Sequence, residues 1–271
     1  MRSAAAVSRR AGAAWVAGGG VAAVLALGPA PARAQTEVHF QYGKHADPFV
    51  ENRKPSGTVI LTVQHASRWK LGDNFFFVDF IDDGGDDGFN EMDAYGEWYS
   101  NLSLGKTTGR ELGFGPVADF GLLAGVALGA DANFRQWLPG VRISWSPPGF
   151  VFLNTDLMLG IDAGRGRDGG SPPELANRFV FDVNGLLPFS LAGQSFAVAG
   201  HAEYAAATTD EFGDDKPGSI LAQPQLRWDV GRAAGGSANG LHVGVEYQYW
   251  SNKLGTDFDE SVVQLLVVWG L

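Results

Sequence analysis

Apolar and polar residues alternate along most of this chain with a period of two. From Met92 the sequence reads MDAYGEWYSNLSL, and its two faces separate except at Ser100. One face carries Asp93, Tyr95, Glu97, Tyr99 and Asn101, and the other carries Met92, Ala94, Gly96, Trp98, Leu102 and Leu104. Successive side chains of a β-strand point to opposite faces, whereas a helix repeats every 3.6 residues. The segment is therefore predicted to be a strand.

The same alternation predicts an even number of strands, about twelve, along the chain. Besides 92–104, the predicted strands are 36–42, 58–69, 74–81, 119–128, 137–145, 151–159, 179–187, 196–204, 220–230, 242–250 and 263–271. No stretch with the period of an amphipathic helix remains. The longest uncharged stretch after the N-terminal region, 183–200, contains Asn184, Pro188 and Gln194. It is predicted to form a hairpin rather than a membrane-spanning helix.

The positions of the tryptophans distinguish two all-β architectures. In a soluble sandwich the apolar faces pack in a core, whereas in an outer-membrane barrel they face lipid and the polar faces line a lumen. If the first strand starts in the periplasm, four even-numbered strands end there in a tryptophan that is in phase with their apolar residues: Trp69, Trp145, Trp228 and Trp269. A bilayer interface collects tryptophan in this way.

The sequence therefore predicts an all-β fold, a transmembrane antiparallel β-barrel with those four tryptophans at the periplasmic membrane interface. A protein of this kind is surrounded by outer-membrane lipid and lipopolysaccharide. It also depends on the outer-membrane assembly machinery for insertion.

The N-terminal residues have the features of an export signal. Arg2, Arg9 and Arg10 form a basic start, an apolar stretch covers 21–27, and Ala32-Arg33-Ala34 matches an A-x-A cleavage site. The predicted organisation is a cleaved signal peptide, 1–34, followed by an outer-membrane barrel, 35–271. A membrane anchor is the alternative, but five glycines and two prolines in 11–32 make a poor spanning helix.

Composition excludes several classes of protein. The chain has no cysteine, so it is not a disulfide-stapled secreted domain. The signal contains four of the 20 basic residues and no acidic one, which leaves 16 basic against 30 acidic residues and a net charge of −14. This excess argues against nucleic acid as a partner. The histidines show no metal-ligand spacing, and no cofactor is predicted.

The stretch DNFFFVDFIDD, which starts at Asp73, places Asp79 inside an aromatic run. A carboxylate in a dry core is costly unless it is paired. Asp79 shares the phase of Phe75 and Phe77, so in a barrel it faces a wet lumen. The opposite phase, which faces lipid, holds Phe76, Val78 and Phe80.

The same phase argument predicts a set of lumen-lining residues: Phe75, Phe77, Asp79, Asp93, Tyr95, Glu97, Tyr99, Arg142, Arg178, Asp182, Arg227, Glu246 and Trp250. Aromatic rings can stack a solute, and carboxylates can accept hydrogen bonds from hydroxyl groups. The same residues can also brace the wall or fill a small barrel, and both roles stay open at this point.

Three stretches resemble the Tsx-like family of nucleoside-specific outer-membrane channels, which includes the OmpK-type vibriophage receptors. They are DNFFFVDFID (73–82), YGEWYSNLSL (95–104) and VEYQYWSNKLG (245–255). The likeness follows the order of elements of the mature chain and is specific in these stretches only. The chain departs from the pattern at Leu271, where such barrels usually end in an aromatic residue.

The resemblance implies a monomeric barrel with a narrow, aromatic-lined pore in the bacterial outer membrane. It implies passive diffusion of nucleosides or other small polar solutes, no enzymatic activity, and extracellular loops that phages and colicins bind.

Two other functions fit a barrel. The first is a general or structural barrel, or a phage receptor, without specific cargo. The second is an outer-membrane phospholipase, because His65 and Ser67 lie two apart on the outward face. Against it, Arg68-Trp69 replaces the Asn-Gly that follows the serine in those enzymes, and Asp79 points the other way.

The acidic run DDGGDDG, 82–88, is predicted to form a solvated extracellular hairpin loop. Its spacing differs from that of an EF-hand, and calcium binding there stays open.

Overall fold

The computed structural model describes residues 35–50, 54–85 and 92–271. The predicted signal peptide lies outside the described residues. Within these ranges, fourteen hydrogen-bonded segments form one sheet, and they build twelve barrel strands because two strands are each broken into two segments. The strands are β1 Gln35–His45, β2 Ser56–Trp69, β3 Gly72–Asp82, β4 Asp93–Ser103, β5 Val117–Gly129, β6 Phe134–Trp137 with Gly140–Trp145, β7 Phe152–Asp162, β8 Arg178–Leu191, β9 Gln194–Ala205, β10 Ser219–Ala222 with Gln225–Asp229, β11 Leu241–Ser251 and β12 Glu260–Gly270.

The sheet closes on itself. Each strand pairs antiparallel with the next, and β1 pairs with β12, where Val38 is opposite Trp269 and Tyr42 is opposite Leu265. Among the described residues, closure leaves the barrel sheet without an unpaired edge, which is what a strand in hydrocarbon requires. The predicted transmembrane antiparallel barrel is confirmed.

The two strand breaks have a common cause. β6 is interrupted at Leu138-Pro139 and β10 at Gln223-Pro224, and proline has no N–H to donate to the ladder. Neighbouring strands bridge the second break, because the amide of Gln223 donates to the carbonyl of His201 at 2.9 Å. Gly200 permits this approach: its φ is +124°, and a Cβ there would lie 2.1 Å from the Gln223 carbonyl oxygen.

The two ends of the barrel differ in their connections. The end at which β1 begins is called the short-connection end. There the turn between β8 and β9 needs only Ala192 and Gly193, both with positive φ, as in a type I′ hairpin. The two longer connections at this end, from β4 to β5 and from β10 to β11, contain helices α1 Leu104–Thr108 and α2 Val230–Ala233, whose N-terminal caps are Ser103 and Asp229.

The opposite end is called the long-loop end. It carries 3-10 turns at Arg167–Gly169 and Lys253–Gly255, and a small hairpin in which Thr208–Thr209 pairs with Asp215–Lys216. Within the described ranges, no helix is both long and apolar enough to cross a membrane.

Burial is reversed relative to a soluble protein. On β12 the outward side chains Val263 and Leu265 are 66% and 64% exposed, whereas the inward Gln264 is fully buried. On β11 the inward Glu246 is 2% exposed and its outward neighbours are apolar. Soluble proteins bury apolar and expose charged side chains. The outward apolar band therefore faces lipid, and the polar groups lie in the lumen.

Arginine on the outward face should destabilise the barrel according to its depth in the bilayer. Leu265→Arg, at the middle of β12, should cost about 2–4 kcal/mol of the free energy of unfolding in liposomes, because the charge meets hydrocarbon. Leu191→Arg, at the short-connection end of β8, is the matched control and should cost about 0–1 kcal/mol. Equal costs at the two positions would contradict an outward face in lipid.

Candidate functional site in the barrel lumen

Three aromatic rings on the inward faces of β3 and β4 form an aromatic ledge, defined as Phe75, Phe77 and Tyr95. The ring centroids of Phe75 and Phe77 are 6.2 Å apart, and those of Phe77 and Tyr95 are 6.1 Å apart. Both separations lie in the range of favourable aromatic pairs. The ledge exists because the alternation of both strands puts these residues on one face of adjacent, paired strands.

Two carboxylates flank the ledge. Glu97 accepts hydrogen bonds from the hydroxyl groups of Tyr95 at 2.5 Å and Tyr99 at 2.8 Å, which orients both rings. Asp79 is opposite Tyr95 in the strand pairing and accepts a hydrogen bond from Thr62 at 2.5 Å. Neither carboxylate has a cationic partner in the described part of the chain.

The facing wall carries a second group of charges on β8 and β9. His201 Nδ1 lies 2.8 Å from Asp182 and its Nε2 lies 2.9 Å from Gln223. Arg178 and Glu203 also lie on the inward face. The two walls interact electrostatically, because the carboxylate of Glu97 is close enough to His201 and Asp182, across the lumen, for their charges to act on it.

Other predicted lumen residues are held within the wall. Arg142 donates two hydrogen bonds of 2.7 Å to Asp156 and a third of 3.0 Å to Asp73. Arg227 Nη1 lies 3.1 Å from Glu37. Glu246 is surrounded by amides, and it accepts hydrogen bonds from Gln41, Gln225 and Gln264. These three predicted residues therefore brace the barrel.

Two predicted residues lie toward the long-loop end. The carboxylate of Asp93 accepts a hydrogen bond of 3.1 Å from the amide of Asp131, so it ties the start of β4 to the turn between β5 and β6. The ring of Trp250 lies 5.7 Å from the ammonium group of Lys253, a cation–π distance. Lys253 also forms an ion pair with Glu260 at 2.9 Å, and alternation alone could not predict this pair.

An apolar cluster inside the lumen was not predicted. Its buried members are Leu123, Ala127, Leu138, Met158, Val180 and Ala205, and Tyr95, Tyr99 and Phe134 pack against it. Strand β5 is apolar on both faces, so its inward residues could not be recognised from alternation. Together with the rings of Tyr95, Tyr99 and Phe134, the cluster covers one wall of the lumen.

The four predicted interface tryptophans lie at the short-connection end on the outward face, and Trp269 is 61% exposed. Trp145 and Trp228 donate hydrogen bonds of 3.0 and 3.1 Å from their indole nitrogens, to Thr155 and Gln194. Their role at the interface stays a prediction. Exposed outward aromatics also occur toward the long-loop end: Tyr42, Phe80, Trp137, Phe179, Tyr204 and Tyr247.

The outward His65 does not contact the serine that suggested a phospholipase. Its Nδ1 lies 2.8 Å from the hydroxyl oxygen of Thr36, and its ring stacks on Phe76 with centroids 5.5 Å apart. Between His65 and Ser67, both in the described part of the chain, there is no hydrogen bond.

In the acidic loop, the carboxylates of Asp82 and Asp83 accept hydrogen bonds from the backbone amides of Gly84 and Gly85. The rest of the predicted loop lies outside the described residues, which end at 85 and resume at 92.

The loops after β7 and β9 dock on each other at the long-loop end. Asp210 forms a bridge with Leu175 and an ion pair of 3.0 Å with Lys216. Burial opposes ionisation of Asp210, but hydrogen bonds from Lys216 and from the amides of Asp214 and Phe212 hold the pKa of its carboxyl below the usual range. These two loops are therefore held together at that mouth of the barrel.

Comparisons with solved structures agree with the fold. The porin NanC is similar with a TM-score of 0.50 and 10% identity, over 87% of this chain and 100% of that chain. The porin KdgM gives a TM-score of 0.44 and 10% identity over 87% and 99% of the two chains. OccK11 of Pseudomonas aeruginosa gives 0.33 and 12% over 89% and 96%. No protein-family model matches the sequence, and no curated protein matches it.

At this identity the NanC likeness shows the fold alone, which is that of an outer-membrane barrel. Together with the outward apolar band, it places the protein in the bacterial outer membrane.

Removing Arg142 should destabilise the barrel more than removing another lumen arginine. Arg142→Met leaves the buried Asp156 without its cation and should lower the free energy of unfolding in detergent micelles by about 3 kcal/mol. Arg142→Met with Asp156→Asn should recover much of this loss. Arg68→Met is the control, because Arg68 is exposed, and should cost less than about 0.5 kcal/mol. Equal losses for Arg142 and Arg68 would show that the Arg142 contacts do not brace the wall.

Proposed function

We propose that the protein is an outer-membrane channel for passive, selective diffusion of nucleosides or similar small polar solutes. The observation that carries the proposal is the aromatic ledge, which lies on the inward face beside Asp79 and Glu97. A planar base can stack on the ledge while the ribose hydroxyl groups donate hydrogen bonds to a carboxylate. The porins of similar fold support a channel, and the resemblance to the Tsx-like family supports the nucleoside.

The strength of stacking suits transport. A base that stacks on one aromatic side chain gains about 1–3 kcal/mol, which selects the solute without trapping it. Flux through a channel requires sites that bind weakly enough for release. The ledge extends over three rings along two strands, so a solute can move from one ring to the next.

The lumen charges favour uncharged solutes over phosphates. In the described part of the chain Asp79 and Glu97 form no ion pair, and Asp182 and Glu246 each interact electrostatically with one of them. His201 interacts with both and offsets part of this negative charge. A phosphate group would be repelled there, since like charges in a narrow, partly desolvated passage interact strongly. We therefore propose that nucleosides pass better than nucleotides.

The proposed protein is a monomer whose long-loop end faces outward. Its loops are the part that a phage or colicin would contact. The general-barrel alternative makes a different prediction for single-channel current: a general pore has a large conductance that does not respond to added nucleoside.

Adenosine should block ion current through the purified protein in planar bilayers, and adenosine monophosphate should block it more weakly. Phe77→Ala should raise the half-blocking concentration of adenosine about 10-fold, because one stacking ring is lost. Phe80→Ala is the matched control: Phe80 is on the same strand, faces outward and is 50% exposed, so the concentration should not change.

Each result tests a different part of the proposal. A large conductance that adenosine does not reduce would contradict a nucleoside channel. Equal block by adenosine and its monophosphate would remove the argument from lumen charge.

A further inference from the structure

Arg178 and Glu203 differ from the other charged residues of the lumen. Arg142, Arg227 and Lys253 each form an ion pair with a lumen carboxylate. The side chains of Arg178 and Glu203 make no hydrogen bond and no ion pair with any part of the chain that the structure describes. The Nε atom of Arg178 is buried without a hydrogen-bond partner. A buried donor without a partner is rare in folded proteins and calls for a physical explanation.

The two side chains lie on neighbouring strands and face the same space. Glu203 of β9 is opposite Asp182 of β8. Arg178 is the first residue of β8, nearer the long-loop end than Asp182, and is opposite Gly160 of β7. The apolar Val180 lies between Arg178 and Asp182 and is buried. Arg178 and Glu203 are close enough to interact electrostatically, but they do not form an ion pair with each other.

The aromatic ledge reaches the same space from the other wall. Tyr95 interacts electrostatically with both Glu203 and Arg178. Tyr95 also packs against the apolar cluster that contains Val180 and Ala205. The space is therefore bounded by Arg178, by Glu203 and by the ring of Tyr95, whose hydroxyl group is hydrogen-bonded to Glu97.

We infer that Arg178 and Glu203 form a lumen site for small zwitterions, solutes that carry both a carboxylate and an ammonium group. The inference rests on the proposed channel function and adds a second class of solute to it. The carboxylate of the solute binds the guanidinium group of Arg178, and its ammonium group binds the carboxylate of Glu203. An aromatic side chain on the solute packs against Tyr95.

The charges of the site explain this preference. The side chains of Arg178 and Glu203 are partly buried, and burial disfavours the charged form of each until a group of opposite charge pairs with it. A zwitterion supplies a counter-charge for each of them, and charge-assisted hydrogen bonds are about twice as strong as neutral ones. A solute with only one charge leaves the other protein charge unpaired. An anion without an ammonium group would also be repelled by Glu203.

Three related solutes test the inference in planar bilayers at neutral pH. Tryptophan is the zwitterion, tryptophan amide lacks the carboxylate, and indole-3-propanoate lacks the ammonium group. With the wild-type protein, tryptophan should block the ion current at a concentration about 10-fold lower than either analogue, which corresponds to about 1.4 kcal/mol.

Two substitutions assign the charges. Arg178→Gln should remove the advantage of tryptophan over its amide, because the carboxylate loses its partner. Glu203→Gln should remove the advantage over indole-3-propanoate. Arg68→Gln is the matched control, because Arg68 is also on an inward face but is exposed near the short-connection end, and it should keep both advantages.

The wild-type comparison decides the inference even if a variant does not fold. Equal block by all three indoles, in a protein that conducts and is blocked by adenosine, would overturn the zwitterion site and leave the nucleoside channel standing. A folded protein without any conductance would overturn the channel and the site together.

Discussion

The fold depends on one constraint, which is that a backbone amide or carbonyl in hydrocarbon must find its hydrogen bond within the protein. Lipid offers no water to satisfy these groups, so only helices and closed barrels span a membrane. The chain meets this requirement by pairing β1 with β12. Even where proline interrupts β10, neighbouring strands satisfy the freed groups: the amide of Tyr247 donates to the carbonyl of Pro224 at 2.9 Å.

Closure also decides where chemistry can occur. Because the apolar faces are used against lipid, the polar faces converge on a narrow lumen, and most of their charges are neutralised there by contacts within the wall. Arg142 with Asp156 and Arg227 with Glu37 belong to this bracing set. The aromatic ledge, Arg178 and Glu203 form no such ion pair in the described part of the chain, and we propose that they contact the solute. On this proposal, the lumen residues divide into those that brace the wall and those that bind solute.

Alternation was sufficient to predict the strands and their faces, since a period of two is a local property of the sequence. It could not predict which lumen residues pair, because pairing depends on closure and register. Glu37 and Arg227 are 190 positions apart and meet only when the barrel has closed. The apolar cluster around Leu138 was missed for a different reason. Strand β5 is apolar on both faces, so alternation cannot show which of its residues point into the lumen. The breaks at Pro139 and Pro224 could not be predicted from proline alone, because Pro188 lies inside the uninterrupted strand β8.

The central claim is that outward residues meet hydrocarbon, whereas inward residues are shielded from it by the barrel wall. The chain has no cysteine, so single cysteines can be placed along β12 at 262–267 and labelled with a fluorophore in liposomes. The account predicts strong quenching by quenchers attached to lipid tails at Val263, Leu265 and Val267, and weak quenching at Val262, Gln264 and Leu266. Quenching that does not alternate along the strand would contradict the account.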